Sequence, residues 1–214
     1  MRLLAVETPR VLPDFVACYS ARLVEGDRRV QFAAGRECAA RAMRQLGGGE
    51  PVDVPRGPAG EPVWPDGWSG SITHKDDYFC AAVARRSQAL AIGIDAEQII
   101  ASDRASAIAP RVTLAQEAVV GGRSLPPGLR VSILFSIKEA VFKCLYPLVL
   151  KRFYYDALSV TTIDLAAGTF RSELTTSLSD RFPAGKILSG GIAIDASRVY
   201  TGIWLSPSHW EVTD

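Results

Sequence analysis

The sequence predicts an α+β protein built as two similar lobes, each with helices packed on a small antiparallel sheet. Three observations lead there. Each half of the chain offers helical stretches followed by strand-like ones. Two of the strand pairs are joined by short turns, at 85–89 and 166–168, which only antiparallel neighbours allow. The 214 residues, 48% of them hydrophobic, suffice for one large domain or two small ones. The lobes are expected over residues 1–104 and 105–214, with the boundary around 100–106.

The elements follow in chain order. In 28–46, Val30, Phe32, Ala34, Ala39, Ala40 and Met43 recur at helical spacing among good helix formers, and Gly47 to Gly49 end the run. The stretch 50–70 is rich in Pro and Gly and reads as loop with short extended pieces. Residues 78–84 and 90–96 read as strands of one hairpin, the second as a buried strand because its apolar run is continuous. A helix is expected over 107–120, a Gly/Pro loop over 121–128, and a second helix over 131–145, entered near Ser132. That helix carries Ile133, Leu134, Ile137, Ala140, Val141 and Cys144 on one side. Strands are expected at 157–164, 169–175 and 191–205, the last interrupted.

Composition narrows the function. Lys and Arg number 24 against 23 Asp and Glu, a net charge of +1. Broad electrostatic binding to nucleic acid needs a basic surface and is excluded as an expectation, whereas a local anion site is not. Cys18, Cys38, Cys80 and Cys144 lie far apart without a C-x-x-C and read as reduced structural thiols of a cytoplasmic protein. The first residues lack the long apolar region of a signal peptide, and no stretch approaches the ~20 apolar residues of a membrane span.

Four patterns can carry chemistry. In Gly93-Ile94-Asp95-Ala96-Glu97, strand alternation puts Asp95 and Glu97 on one face and Ile92, Ile94 and Ala96 on the other. Adjacent carboxylates repel, and a hard divalent ion such as Mg²⁺ relieves that repulsion; alone, the same residues are an ordinary solvated strand end. In 135–143, Glu139 and Lys143 stand at i,i+4, with Lys138 beside Glu139, inside a mostly apolar helix. Glu139 there is a third metal ligand or a base, and a lysine sits on phosphate. In 70–74, His74 follows the hydroxyls of Ser71 and Thr73 after a glycine, a set of donors for phosphate. Between 28 and 56 lie six arginines, Arg28, Arg29, Arg36, Arg41, Arg44 and Arg56, against three acids. Arginine forks suit phosphate monoesters, and a basic solvated helix face is the plain alternative. Together the four patterns describe a metal, a diphosphate and a terminal phosphate, hence a nucleotide-like diphosphate substrate. Neither a G-x-x-x-x-G-K-[ST] loop nor a G-x-G-x-x-G is present. His209 lies in the C-terminal tail and is given no role.

These residues resemble a known family. G-I-D-A-E (93–97) and F-S-I-K-E-A-V-F-K (135–143) look like the two signature motifs of 4′-phosphopantetheinyl transferases. F-x-x-G-R-x-C-A-x-x-A (32–42), R-G-P-x-G-E-P-V-W-P (56–65) and G-S-I-T-H (70–74) are similar to the subgroup that serves siderophore, nonribosomal-peptide and polyketide synthases. The resemblance covers about residues 28–146 and is specific as a set.

The resemblance implies a pseudo-dimer of two α+β lobes with coenzyme A in the cleft between them. It implies transfer of the phosphopantetheine arm to a serine of an apo acyl, peptidyl or aryl carrier protein, releasing adenosine 3′,5′-bisphosphate. The ion implied is Mg²⁺, with Mn²⁺ as the alternative, and the protein is expected to be a cytoplasmic monomer. Asp95, Glu97 and Glu139 fall on the metal positions. Asp95, Glu139 and Lys143 fall on the catalytic ones, with Glu139 or a water as base and Lys143 on phosphate. Lys138 falls near the pantetheine phosphate. Arg28, Arg36, Arg56 and His74 fall on positions holding the 3′-phosphate, adenine and diphosphate, bordered by Ser71 and Thr73. Lys75 stands where many relatives have a small residue or Cys and is an added cofactor-binding cation that contacts phosphate or else faces solvent; Ala96 replaces an Ile or Leu, and Glu117 lies near where relatives carry another acid. Arg111, Arg123, Arg130, Lys151 and Arg152, with the aromatic run Phe153, Tyr154 and Tyr155, are the expected carrier-docking residues, or else solvated surface and core. Two other readings stand beside this one: a CoA-binding or carrier-docking protein without catalysis, and a Mg²⁺-dependent hydrolase of a nucleotide-like substrate.

Overall fold

The computed structural model describes residues 1–25, 27–47, 49, 53–122 and 124–209; the side chains of Arg28 and His209 lie outside that description. Two antiparallel sheets carry the chain. The first has the order β1-β2-β4-β3, from β1 (Leu3–Ala5), β2 (Ala17–Leu23), β3 (Trp68–Lys75) and β4 (Tyr78–Arg85). The second has the order β5-β9-β8-β7-β6, from β5 (Ala91–Gln98), β6 (Leu158–Asp164), β7 (Thr169–Leu174), β8 (Ile187–Ile194) and β9 (Arg198–Leu205). This is the expected α+β class.

Helix α1 (Arg28–Gln45) begins where the Asp27 carboxylate accepts the amides of Arg29 and Val30, at 2.9 and 3.0 Å. It ends before Gly47, whose φ of 70° a side chain would disfavour. Its buried face is Ala34, Cys38, Ala39, Ala42 and Met43, packed with Phe79, Ala81 and Val83 of β4. Small residues there let the helix lie close to the sheet. In the second sheet, α3 (Pro127–Val149) buries Ile133, Leu134, Ile137, Val141 and Leu145 among Leu158, Phe170, Leu174 and Ile203.

Five expectations need correction. Residues 78–84 and 90–96 form no hairpin, since β4 pairs with β2 and β3 while β5 pairs with β9. The continuous apolar run of β5 requires cover on both faces. Ile92, Ile94 and Ala96 meet Tyr78, Cys80, Ala82 and Ala84, whereas Gly93 meets α3. The sheets therefore part between Arg85 and Ala91, ahead of the expected boundary near 100–106. The helix expected over 107–120 is α2 (Ser102–Val112) followed by a 3₁₀ turn at Ala115–Val119. The break lies where Glu117 takes the Leu114 amide at 2.7 Å. Helix α3 starts with Pro127 as its first residue, a position where the missing N–H costs nothing, and Ser132 is interior. The Ser132 hydroxyl instead donates to the Gly128 carbonyl and accepts the Ile100 amide, each at 2.8 Å. Strand β3 begins within the stretch read as loop, and β1 and β2 fall where no element was expected.

The sheets meet edge to edge. The Ile94 amide of β5 donates to Ser71 Oγ of β3 at 3.1 Å. Residues 6–16 cross the same junction, with Val11 and Leu12 seated over Gly191 and Gly202, which are paired in register on β8 and β9. Among the described residues no helix is long and apolar enough to cross a membrane.

Candidate active site

The β3–β5 junction places the first carboxylate. A Cβ on Gly93 would lie 1.9 Å from the Ala140 carbonyl oxygen and 2.7 Å from the Cys144 nitrogen, so only glycine lets α3 approach β5 this closely. That approach brings Lys143 onto Asp95: Nζ donates to Oδ1 at 2.7 Å, and also to Thr73 Oγ1 at 3.1 Å and the Ile94 carbonyl at 3.2 Å. Thr73 Oγ1 donates to the same Asp95 oxygen at 3.1 Å. Asp95 is buried, and its Oδ2 has no hydrogen-bond partner among the described residues.

Two residues along, Glu97 accepts the Lys75 ammonium at 2.8 Å. Burial pushes the Glu97 carboxyl above its ordinary range, against the pull of Lys75, and Asp95 adds to the rise. The third carboxylate, Glu139, takes the Tyr155 hydroxyl on Oε1 at 2.6 Å. Asp95, Glu97 and Glu139 all line one cleft of about 710 Å³, together with Thr73, His74 and Lys143. The opposite wall comes from α1 and the 56–62 loop: Phe32, Gly35, Arg36, Arg56, Gly60 and Pro62. Elements of both sheets thus build the cleft.

Arg36 lies over the Phe32 ring at 4.3 Å, and its Nε donates to the Val54 carbonyl. Burial lowers its affinity for a proton, and Arg56 acts in the same direction. Two guanidinium groups near each other in one cleft are a ready receptor for a dianionic phosphate. His74 stacks on Phe79, centroids 5.5 Å apart and rings 6° from parallel. Burial, then Lys143 and Lys75, hold its pKa below the ordinary imidazole value, against the pull of Asp95.

The remaining expected residues divide. Ser71 spends its hydroxyl on the Ile94 amide, and Lys75 spends its ammonium on Glu97. The Arg28 side chain lies outside the described residues. Arg41 is turned to Glu37, at 2.6 Å, and to the Tyr19 hydroxyl. Lys138 requires a correction. It is 2% exposed, and its ammonium donates to the Val112 carbonyl, Glu117 Oε2 and the Tyr155 carbonyl at 2.8, 2.8 and 3.0 Å. Its three donors are taken inside the second lobe rather than free for a ligand. Glu117, fully buried, also accepts the amides of Leu114 and Val160. Burial lowers the Lys138 pKa and Glu117 opposes that. Arg130 is another correction, because it is buried with its guanidinium on the carbonyls of Ala118, Gly122 and Leu125. Lys151, Arg152 and Arg111 are exposed, whereas Arg123 lies outside the described residues. Tyr154 is 77% exposed beside Leu150 at 75%. All four cysteines are free thiols.

The cleft's chemistry suits a hard cation. Its carboxylates supply oxygen ligands without thiolate, and Asp95 keeps one buried oxygen unpartnered. Among the described residues no three His, Cys, Asp or Glu side chains already stand together at metal-holding distance. Each cleft carboxylate is instead held by its own donor: Lys143, Lys75 or Tyr155.

Sequence reasoning read Tyr155 only as one of an aromatic run. Its hydroxyl contact with Glu139, sixteen positions apart, belongs to no local pattern and depends on the fold of the segment after α3.

Comparison with known proteins agrees with this division of the chain. A model described as the 4′-phosphopantetheinyl transferase N-terminal domain matches residues 21–84. A second, described as the 4′-phosphopantetheinyl transferase superfamily, matches residues 91–190. The 4′-phosphopantetheinyl transferase Npt of Nocardia iowensis is 36% identical over 171 residues, which are 72% of this chain and 70% of the relative. The 4′-phosphopantetheinyl transferase PptT of Mycobacterium tuberculosis is 36% identical over 135 residues, 63% of this chain and 58% of the relative. Enterobactin synthase component D of Salmonella typhi is 32% identical over 117 residues, 54% of this chain and 47% of the relative.

Proposed function

The chain belongs to the 4′-phosphopantetheinyl transferase superfamily and is an enzyme of that type, and we propose that it moves the phosphopantetheine arm of coenzyme A onto a serine of an apo acyl, peptidyl or aryl carrier protein. The carrying observation is the single cleft shared by Asp95, Glu97, Glu139, Lys143, Arg36, Arg56 and His74. In this reading the arginines and His74 hold the 3′-phosphate and diphosphate end of CoA, with Ser71 and Thr73 bordering it. Lys143 stands at the diphosphate.

The serine oxygen attacks the pantetheine-side phosphorus, a new P–O bond forms, and the bond to the adenosine half breaks. Glu139 takes the serine proton, directly or through a water. Lys143 stabilises the charge that builds on the departing phosphate and can return a proton to it. Asp95, Glu97 and Glu139 are the residues that would hold Mg²⁺, or Mn²⁺ in its place. When bound, that ion neutralises charge on the diphosphate oxygens. The cleft does the rest by alignment. The protein is read as a monomer, because its two lobes both line the site, and its cytoplasmic location remains the reading of its scattered cysteines.

The test is the intact mass of an apo carrier protein after incubation with enzyme, CoA and Mg²⁺. A gain of one phosphopantetheine group is expected, and Asp95→Ala or a chelator should abolish it. Free phosphopantetheine with no change in carrier mass would mean hydrolysis instead. CoA binding without either product would mean an inactive binding protein.

A further inference from the structure

Of the three cleft carboxylates, Asp95 and Glu97 meet lysines, whereas Glu139 meets a phenol. The difference is chemical. A lysine neutralises the carboxylate it touches, while a hydroxyl orients the carboxylate and leaves its charge in place. At 2.6 Å the Tyr155–Glu139 contact has the length of a charge-assisted O–H···O⁻ bond.

Tyr155 is itself fixed at both ends. Its ring lies against Phe135, with centroids 5.6 Å apart. Its carbonyl accepts Lys138 Nζ at 3.0 Å, and Lys138 is held by Glu117 at 2.8 Å inside the core of the second lobe. Lys138 and Glu139 are neighbours in sequence that part at the helix and are joined again through one tyrosine. A free glutamate has three rotatable bonds to immobilise before it can act, and here that ordering is already complete.

We propose, resting on the transferase reading above, that Tyr155 is the positioning residue of the reaction: by occupying Glu139 Oε1 it presents Oε2 to the incoming serine. It acts through Glu139 and does not touch substrate. A cavity of about 190 Å³, lined by Glu139, Tyr155, Tyr154, Phe153 and Arg152, adjoins this pair on the side of the exposed 150–154 segment. The serine therefore approaches past Tyr155.

The test is steady-state kinetics of Tyr155→Phe, which removes one oxygen and keeps the ring, with melting curves to verify the fold. The expected result is a kcat about tenfold lower, with KM for CoA and for the carrier within about twofold of wild type, the signature of an interaction realised in the transition state. The matched control Tyr19→Phe, which removes a phenol oxygen that meets Arg41 away from both cavities lined by Glu139, should behave as wild type. A kcat for Tyr155→Phe within about twofold of wild type overturns the proposal, as does a loss confined to either KM. A wild-type enzyme that adds no mass to any carrier sinks the transferase reading itself, which separates the two failures.

Discussion

Lys138 and Glu139 are adjacent on one helix, yet burial gives them different work. The Lys138 ammonium is enclosed and its partner Glu117 is fully buried, so each charge depends on the other. Removing one member leaves an uncompensated charge in the core, which costs about 3–5 kcal/mol. Lys138→Met should therefore lower the stability read by urea unfolding by that amount, while Lys151→Met, at an exposed site, should leave it near wild type. An unchanged midpoint for Lys138→Met would contradict the assignment of this lysine to structure. The acids of the cleft sit at the other extreme. Asp95 retains an unpartnered oxygen, and Glu97 is pushed by burial toward holding its proton. Both features are costs to folding that a bound cation would relieve.

At the scale of elements, the site depends on how closely α3 can approach β5. Gly93 sets that distance, because both backbone and side-chain atoms of α3 occupy the space a Cβ would need. Gly93→Ala must shift the helix, and overpacking of this kind costs roughly 1–3 kcal/mol. A lowered melting temperature is expected, accompanied by lost transferase activity, since the Lys143–Asp95 contact crosses the same interface. Full activity in Gly93→Ala would show that the spacing is not critical. The edge strands β3 and β5 do related work: Ser71 joins them through the Ile94 amide, and Thr73 then meets Asp95 across the seam.

For the whole molecule, the cleft exists because two sheets stand side by side with α1 and the 56–62 loop on one bank and α3 on the other. The strap at residues 6–16 ties the far side of the same junction through Val11 and Leu12. The exposed segment with Leu150, Lys151, Arg152 and Tyr154 lies beside the smaller cavity that reaches Glu139. A basic and apolar rim in that position suits an acidic carrier helix. The double charge reversal Lys151→Glu/Arg152→Glu should raise the carrier KM by about tenfold at low salt, and less at high salt, because rim charges act mainly by steering. CoA affinity, measured by calorimetry, should not change. Carrier kinetics equal to wild type would remove this rim from the docking surface.

Much of the site was legible because its chemistry is written in short local patterns. Asp95 and Glu97 share a strand face by alternation alone, and Glu139 and Lys143 share a helix side by i,i+4 spacing. The two glycine-bearing segments around Arg56 and His74 could likewise be recognised, as could α1, whose cap and apolar spacing are local. The errors arose where a non-local partner decides. The 85–89 turn looks like a hairpin, but β5 needs cover on both faces and so joins β9, more than a hundred residues away in the chain. Lys138 beside Glu139 looks like a second phosphate lysine, but Glu117 draws it into the core. Tyr155 carries no motif, and its contact with Glu139 exists only after the chain has folded back from α3. The sequence by itself determined which residues carry charge and donors and how they space along each element. The tertiary structure alone decided which of those charges are neutralised by burial partners and which are left facing the cleft, because desolvation and ion pairing depend on distances that strand alternation and helical repeat do not encode.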